Sequence, residues 1–318
     1  MTDTLIRPEG LRSRAPTAGL TGKFGQLGTQ IRKNAIAYIF LAPAFILMGL
    51  FLVYPIVQSL LLSFYEWNGI APRVYVGLEN FERLLQDKIL YLAIGNNIIF
   101  SIFTTTGTVT LGFLLALSIE RQVRGWRIFK VAYFLPVMVS GTVVGLLWEK
   151  LLDPTFGAVN LLLKALGVEN PPVWLGDPVF AMVSLIIVTI WQYAGFPMII
   201  FLAAMENIPQ EIHDSATLDG VTWQQRATKI IMPLISNVTM TIILLQLIFS
   251  FKVFDIVWTM TGGGPGEATN VLAVYLYRTA FRFTEFGYGS AIAVIMFVII
   301  FVLSNVYLRI FRPEHVEY

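Results

Sequence analysis

The chain has 318 residues, of which 56% are hydrophobic and only 13% charged, with a mean hydropathy of +0.70. Soluble domains carry about 25% charged residues, so this composition calls for a bilayer as solvent, and a net charge of +2 gives no basis for nucleic-acid binding. The absence of cysteine excludes disulfides, thiolate metal sites and cysteine nucleophiles, and two histidines, His213 and His315, are too few for a multi-histidine metal centre.

Residues 1–34 are polar, basic and punctuated by Gly and Pro, and no apolar run begins before about Ile36. A secretory signal would place its apolar core nearer the start, so this stretch reads as a basic cytoplasmic tail, partly disordered. About 20 apolar residues, rising about 1.5 Å each, cross a hydrocarbon core of roughly 30 Å. Six runs qualify: about Ile36–Leu62, Leu92–Leu117, Ile128–Leu147, Phe180–Met205, Leu234–Trp258 and Ser290–Leu308. They are continuous rather than alternating, which predicts helices and not barrel strands. The reading is therefore an all-α membrane protein: a six-helix domain over 35–312, followed by a cytoplasmic C-tail at 313–318.

Helix breakers interrupt several runs: Pro43 and Pro55 in the first, Pro136 in the third, Gly195 and Pro197 in the fourth. Broken helices persist in lipid where neighbours or a wet cavity satisfy the freed backbone groups. The connections Tyr65–Tyr91 and Glu149–Val179 are too short for a soluble domain, and the second holds an apolar stretch, Val159–Leu166, suited to the membrane interface. No internal repeat stands out, which argues against an inverted-repeat carrier.

Orientation follows from Lys and Arg. The tail, the second-to-third connection (Arg121, Arg124, Arg127, Lys130), the fourth-to-fifth connection (Arg226, Lys229) and the C-terminus (Arg309, Arg312) together hold 14 positive residues. The opposite side holds seven, from Arg73 to Arg282. Both termini are expected on the cytoplasmic side.

The fourth-to-fifth connection, Asn207–Pro233, is 27 residues long, whereas adjacent spans need only a few. Pro209 suits a first helical position, with Glu211 in the first turn. Gly220 can end that helix in a left-handed conformation, and Thr222 with Gln225 reads as a capping box for a second helix that Pro233 ends. Small Ser215 and Ala216 beside acidic Asp214 and Asp219 suit docking into a groove on a partner. An interfacial helix is the competing reading, disfavoured by the acidic residues because the inner leaflet is negative.

This segment resembles the EAA loop of the permease subunits of ATP-binding-cassette importers. Asp214, Ser215 and Ala216 stand where that family has Glu-Ala-Ala. Gly220 follows after three residues, Ile230 after nine more, then Ile231, Met232 and Pro233. Asp for Glu, Ser for Ala and Met for Leu are the departures. The resemblance implies the type I importer permease fold, with Pro209–Gly220 as a coupling helix seated on a nucleotide-binding subunit. Glu211, Asp214, Ser215, Ala216, Asp219 and Gly220 would then be the ATPase-coupling residues. The chain has no G-x-x-x-x-G-K-[ST] sequence, so ATP and Mg would be bound by partner ATPase subunits, with no cofactor in this chain and no enzymatic activity of its own.

The stretch AYIFLAPAFILMGLFLVYPIVQSLLLSFYEW, the following VGLENF and the segment Phe251–Thr269 resemble the sugar-importing branch, and the last is similar to its maltose-type first permease subunit. The resemblance implies a bacterial inner-membrane location, a second homologous permease, two ATPase subunits, an extracytoplasmic solute-binding protein and a carbohydrate substrate. Glycerol phosphate or another polar solute is the alternative cargo. Sugars are held by aromatic faces and by hydrogen bonds to hydroxyls. The expected pathway residues are Gln192, Tyr193, Gly195, Phe196, Phe251, Lys252, Asp255 and Trp258. Lys252 and Asp255, three apart, are expected to share one helix face, as ionisable residues within a span aimed at an interior or a wet cavity. Thr261–Gly266 (TGGGPG) reads as a flexible outer turn, and His213 as an exposed residue. An ion-coupled carrier acting alone would account for the spans but not for the 27-residue connection, and a membrane-bound enzyme lacks an inward cluster of His or carboxylates.

Overall fold

The computed structural model describes residues 35–120 and 125–311. The expectations for the 1–34 tail, for Arg121 and Arg124, and for the C-tail lie outside the described residues. The chain divides into two compact units, Met1–Gln58 and Ser59–Tyr318.

In the first unit, helix α1 (Ala35–Met48) runs through a π-helical turn, Gly49–Val53, into α2 (Tyr54–Leu62), which crosses the unit boundary. Proline has no N–H and clashes with the carbonyl four residues back. The wide turn placed just before Pro55 accommodates both effects.

The second unit opens with a short antiparallel pair, β1 (Tyr65–Glu66) and β2 (Val74–Tyr75). An amphipathic helix, α3 (Glu79–Gln86), follows. Then comes α4 (Lys88–Glu120), whose 33 residues span about 50 Å. Asp87 starts it by accepting from the Ile89 and Leu90 N–H groups at 2.9 and 3.2 Å. The third span is broken: α5 (Trp126–Phe134) passes through a tight turn at Pro136 and re-starts as α6 (Gly141–Leu151), at 97° to the first segment. A break in this span was expected at Pro136, and the bend falls just after it, at Val139–Ser140, between the tight turn that holds Pro136 and α6. The stretch read as interfacial forms α7 (Ala158–Ala165).

The fourth span comprises α8 (Pro178–Tyr193) and α9 (Gly195–Glu206), bent by 40°. Pro197 cannot donate to the preceding turn, and a Cβ on Gly195 would lie 2.4 Å from the Tyr133 carbonyl, so the bend is also where α9 meets the end of α5. After α10 (Gln210–Leu218) come α11 (Trp223–Gln225), a π-helical stretch Arg226–Ile231, and α12 (Met232–Leu234). The chain then turns by 78° into α13 (Ser236–Phe251). The fifth span does not continue to Trp258 as one helix. It stops at Phe251 and resumes as α14 (Asp255–Met260). α15 (Leu272–Tyr277) and the last span, α16 (Phe286–Ile310), complete the unit.

Among the described residues, three helices are long and apolar enough to cross a membrane, and the three bent pairs bring the total to as many as six. The protein is thus an all-helical membrane protein. Its core is three buried clusters. One, around Phe113, Met198, Phe201, Ile231 and Ile242, lies toward the end that carries α10. The second gathers Phe100, Leu185, Ile256 and Val257, and the third Leu90, Leu272 and Ile292.

Candidate transport pathway and coupling element

The hairpin between the fourth and fifth spans is closed by short-range bonds. The Val221 N–H donates to the Ala216 carbonyl at 3.1 Å and the Gly220 N–H to Thr217 at 3.2 Å, with Gly220 at φ +65°. This is the Schellman ending that glycine permits. Thr222 and Gln225 form the reciprocal box: the Thr222 N–H donates to Gln225 Oε1 at 2.9 Å, and the Gln225 N–H to Thr222 Oγ1 at 3.4 Å. Pro209 stands one place ahead of the first helical residue, and the second helix ends at Leu234, one place past Pro233.

Glu211, Ser215, Ala216 and Asp219 line one open concavity with Ile212, Val221 and Ile230. Asp214 is turned to its own helix, accepting from Gln210 Nε2 at 3.0 Å. The concavity is an acidic rim around an apolar floor, which is the chemistry a docking groove presents.

An ion pair joins the hairpin to the bundle, beside the apolar packing of Ala227 and Ile231 in the first cluster. Arg226 Nη2 lies 2.5 Å from Glu120 Oε1 at the end of α4 and 3.2 Å from His213 Nδ1. His213 is therefore half-buried and partnered, not exposed as the sequence reading had it. Arg226, which sequence reasoning used only as a marker of sidedness, joins helices 106 positions apart. No local pattern reveals such a pair.

A cavity of about 410 Å³ opens among α4, α8, α9, α13 and the start of α14. Three helices each give it a stripe at helical spacing: Phe100, Thr104 and Thr108 from α4; Thr189 and Tyr193 from α8; Gln246 and Ser250 from α13. Phe196 and Phe249 meet edge-to-face at 6.3 Å on its wall. Aromatic faces with hydroxyl and amide groups form the lining that carbohydrate recognition needs.

Of the pathway residues expected from sequence, Tyr193, Phe196, Lys252 and Asp255 line this cavity. Gln192 is buried, donating from Nε2 to the Val139 carbonyl at 3.0 Å. Gly195 is the contact with α5. Phe251 borders a separate crevice against Leu244 and Leu303. Trp258 stacks on Phe254 and meets Tyr277 edge-on. Sequence reasoning missed Thr104, Thr108, Thr189 and Gln246, which lie mid-helix in strings with no local mark.

Lys252 and Asp255 do not share a helix face. The chain between Phe251 and Asp255 leaves helical geometry, with Phe254 at φ −135° and ψ −59°. The cause lies elsewhere in the sequence. The Asn97 side chain donates to the Ser250 carbonyl, in the last turn before the break, at 3.3 Å and accepts from the Leu272 N–H, at the start of α15, at 2.8 Å. Both ionisable residues are exposed to the cavity, and among the described residues no ion pair joins them. Two glycines one turn apart set the position of Asp255. A Cβ on Gly141 would lie 3.1 Å from Asp255 Cβ, and one on Gly145 would lie 2.8 Å from Thr259 Cβ, so α14 packs directly on the α6 backbone.

At the opposite end, Asp87 accepts from the Tyr275 and Tyr288 hydroxyls. Burial pushes its carboxyl up, but these hydrogen bonds and two backbone N–H groups outweigh that and hold it below the usual carboxylate value. The TGGGPG stretch is held by several hydrogen bonds. Thr269 Oγ1 bonds Gly264 O at 2.6 Å, and Glu267, paired with Arg278 at 2.9 Å, ties the loop to Asn96 of α4.

A bundle of broken membrane helices around a largely apolar cavity studded with hydroxyl, amide and charged side chains, with an acidic hairpin at one end, defines a multi-pass transport protein. A family model described as the binding-protein-dependent transport system inner membrane component matches residues 108–314, and the chain belongs to that family. It is the non-hydrolysing membrane component of an ATP-binding-cassette importer, and ATP hydrolysis belongs to separate subunits. A probable ABC transporter permease of Pyrococcus horikoshii is 36% identical, covering 85% of this chain and 93% of its own length. The lactose transport system permease protein LacF of Rhizobium radiobacter is 32% identical, over 84% of this chain and 91% of its own. The crystal structure of a bacterial importer of the acidic polysaccharide alginate contains a chain of the same fold. It has a TM-score of 0.79 at 24% identity and covers 90% of this chain and 98% of that one.

Proposed function

We propose that this chain is the maltose-type first permease of a saccharide importer, passing its cargo through the α4–α8–α13 cavity. One observation carries the reading: α13 lines the cavity and is also the direct continuation of the hairpin, so a force on α10 reaches the pathway within one stretch of chain. In this reading residues 35–312 form the permease domain. Both termini and the hairpin face the cytoplasm. Glu211, Asp214, Ser215, Ala216, Asp219 and Gly220 seat the hairpin on an ATPase subunit. A second homologous permease closes the pathway, a second ATPase subunit completes the motor, and an extracytoplasmic binding protein delivers the sugar. ATP binding and reset favour different bundle states, and cargo moves by that difference. The lactose permease among the relatives supports a carbohydrate cargo.

Lys252 favours one second reading, a cargo bearing an anionic group such as glycerol phosphate, because no carboxylate pairs with it among the described residues. The test is reconstitution of the complex with its binding protein. Neutral saccharides are expected to stimulate ATP hydrolysis and to accumulate inside vesicles. Stimulation by glycerol phosphate alone would replace the saccharide reading, and transport by the single chain without ATP would end both.

A further inference from the structure

We infer that the cavity holds a second, charge-free subsite, made by Thr104, Thr108, Thr189 and Gln246, that takes a neutral hydroxyl-bearing ring after it leaves the level of Lys252 and Asp255. The inference rests on the saccharide reading above and adds a specificity-determining step to it.

The four side chains come from three helices, line the same cavity, and are between 2% and 7% exposed. Their hydrogen-bonding states differ. Thr104 Oγ1 donates to the Phe100 carbonyl at 2.6 Å, and Thr108 Oγ1 donates to the Thr104 carbonyl at 2.7 Å. Their protons are spent on the helix, which leaves lone pairs as acceptors. Gln246 Nε2 and Thr189 Oγ1 are buried with no partner among the described residues. Burying such groups unpaired is costly, and native structures pair nearly all of them. The patch therefore offers two acceptors and two unsatisfied groups able to donate.

A sugar hydroxyl both donates and accepts, so it satisfies both sets at once. A phosphate or carboxylate would meet the threonine lone pairs with no cation beside it. The charged level is separate: α13 runs about 7.5 Å beyond Gln246 to its end at Phe251, and Lys252 follows that end. Because α13 begins at the hairpin, Gln246 is on the hairpin side of Lys252. Charge would be read first and hydroxyls second along an inward path. Phe196 and Phe249 supply the aromatic faces for the apolar side of the ring.

The test uses the full complex in vesicles, supplied with lactose, maltose, trehalose or maltotriose and with singly deoxygenated derivatives of the sugar it carries. A site built to bond a hydroxyl rejects the analogue lacking it, and loses that preference when its own group is removed. Gln246→Leu is expected to lower kcat/KM for the parent sugar by about tenfold or more and to abolish discrimination against one deoxy derivative. Assembly, read by co-purification with the ATPase subunit, should be unchanged. Thr189→Val is read in the same way and serves if Gln246→Leu does not assemble. Wild-type sugar-to-deoxysugar ratios in either assembled variant would overturn the subsite while leaving the saccharide reading intact. A wild-type complex that carries none of the four sugars would overturn both.

Discussion

In the hairpin, the bonds that set the turn join residues no more than five apart, such as Val221 to Ala216 and Gln225 to Thr222. The cavity is set by bonds of the opposite kind. Asn97 reaches Ser250 and Leu272 across 153 and 175 positions, and that reach ends α13 where Lys252 begins. A locally closed hairpin can dock and move as a unit while a remotely closed cavity rearranges around it. On the proposed function, the part that would receive force and the part that would recognise cargo are thus separate. The two meet at α13 and at the Arg226–Glu120 pair.

The largest effect that can break this comparison is expected at Gly220. A Cβ there meets nothing within 4 Å, so only backbone conformation is at stake. Gly220→Val forces a β-branched residue to φ +65°, at a cost of about 1–2 kcal/mol or more. It should abolish binding-protein-stimulated ATP hydrolysis while the bundle still assembles. Gly220→Asn, which tolerates that conformation, should retain most activity, and equal loss in both would remove the turn from the account.

Next come Lys252→Ala and Asp255→Ala. Because each lines the cavity without an ion-pair partner among the described residues, transport should fall about tenfold or more, while thermal stability changes by about 1 kcal/mol or less because Asp255→Ala keeps the Cβ that packs on Gly141. Lowered assembly with unchanged transport would instead make them structural.

The Arg226–Glu120 pair sharpens the comparison from the other side. Its side chains are 28% and 17% exposed, so removing one partner leaves a partly buried charge unpaired. Arg226→Met should cost about 2 kcal/mol, more than Glu120→Gln, because it also frees His213. ATP hydrolysis should become less dependent on substrate in both, and an unchanged melting temperature and coupling ratio would contradict the tie.

The smallest effect is expected at Asp87. Its carboxyl is held below the unfolded value of about 3.9, so its contribution is present above that value and is lost as pH falls through the folded value. Asp87→Asn should lower stability at neutral pH, where the contribution is fully present, and flatten the acid limb of a stability–pH profile, so that variant and wild type converge below about pH 4.

How much of this could be read beforehand follows the same division. Gly220, Thr222 and Gln225 were legible because a left-handed stop and a capping box are written within a few residues. The bends at Pro136 and Pro197 were legible as breakers, though not their angles. The break at Lys252 was not, since FKVFDIV contains neither Gly nor Pro and the stop is supplied by Asn97 on another helix. For the same reason Thr104, Thr108, Thr189 and Gln246 looked like ordinary mid-span residues until three helices brought them together. His213 was misread as exposed because its partner, Arg226, sits on the other arm of the hairpin, and TGGGPG was read without the bonds that Thr269 and Asn96 make to it and its neighbour Glu267.

The chain has no cysteine of its own, which makes a single introduced thiol a clean reporter of the central claim. Ser215→Cys places it on the exposed rim of the hairpin. In membranes holding the complete importer, it should resist an impermeant thiol reagent applied from outside. From the cytoplasmic side it should cross-link to the ATPase subunit, with a yield that changes on adding ATP. Modification from outside, or the same labelling with and without the ATPase subunit, would contradict the account.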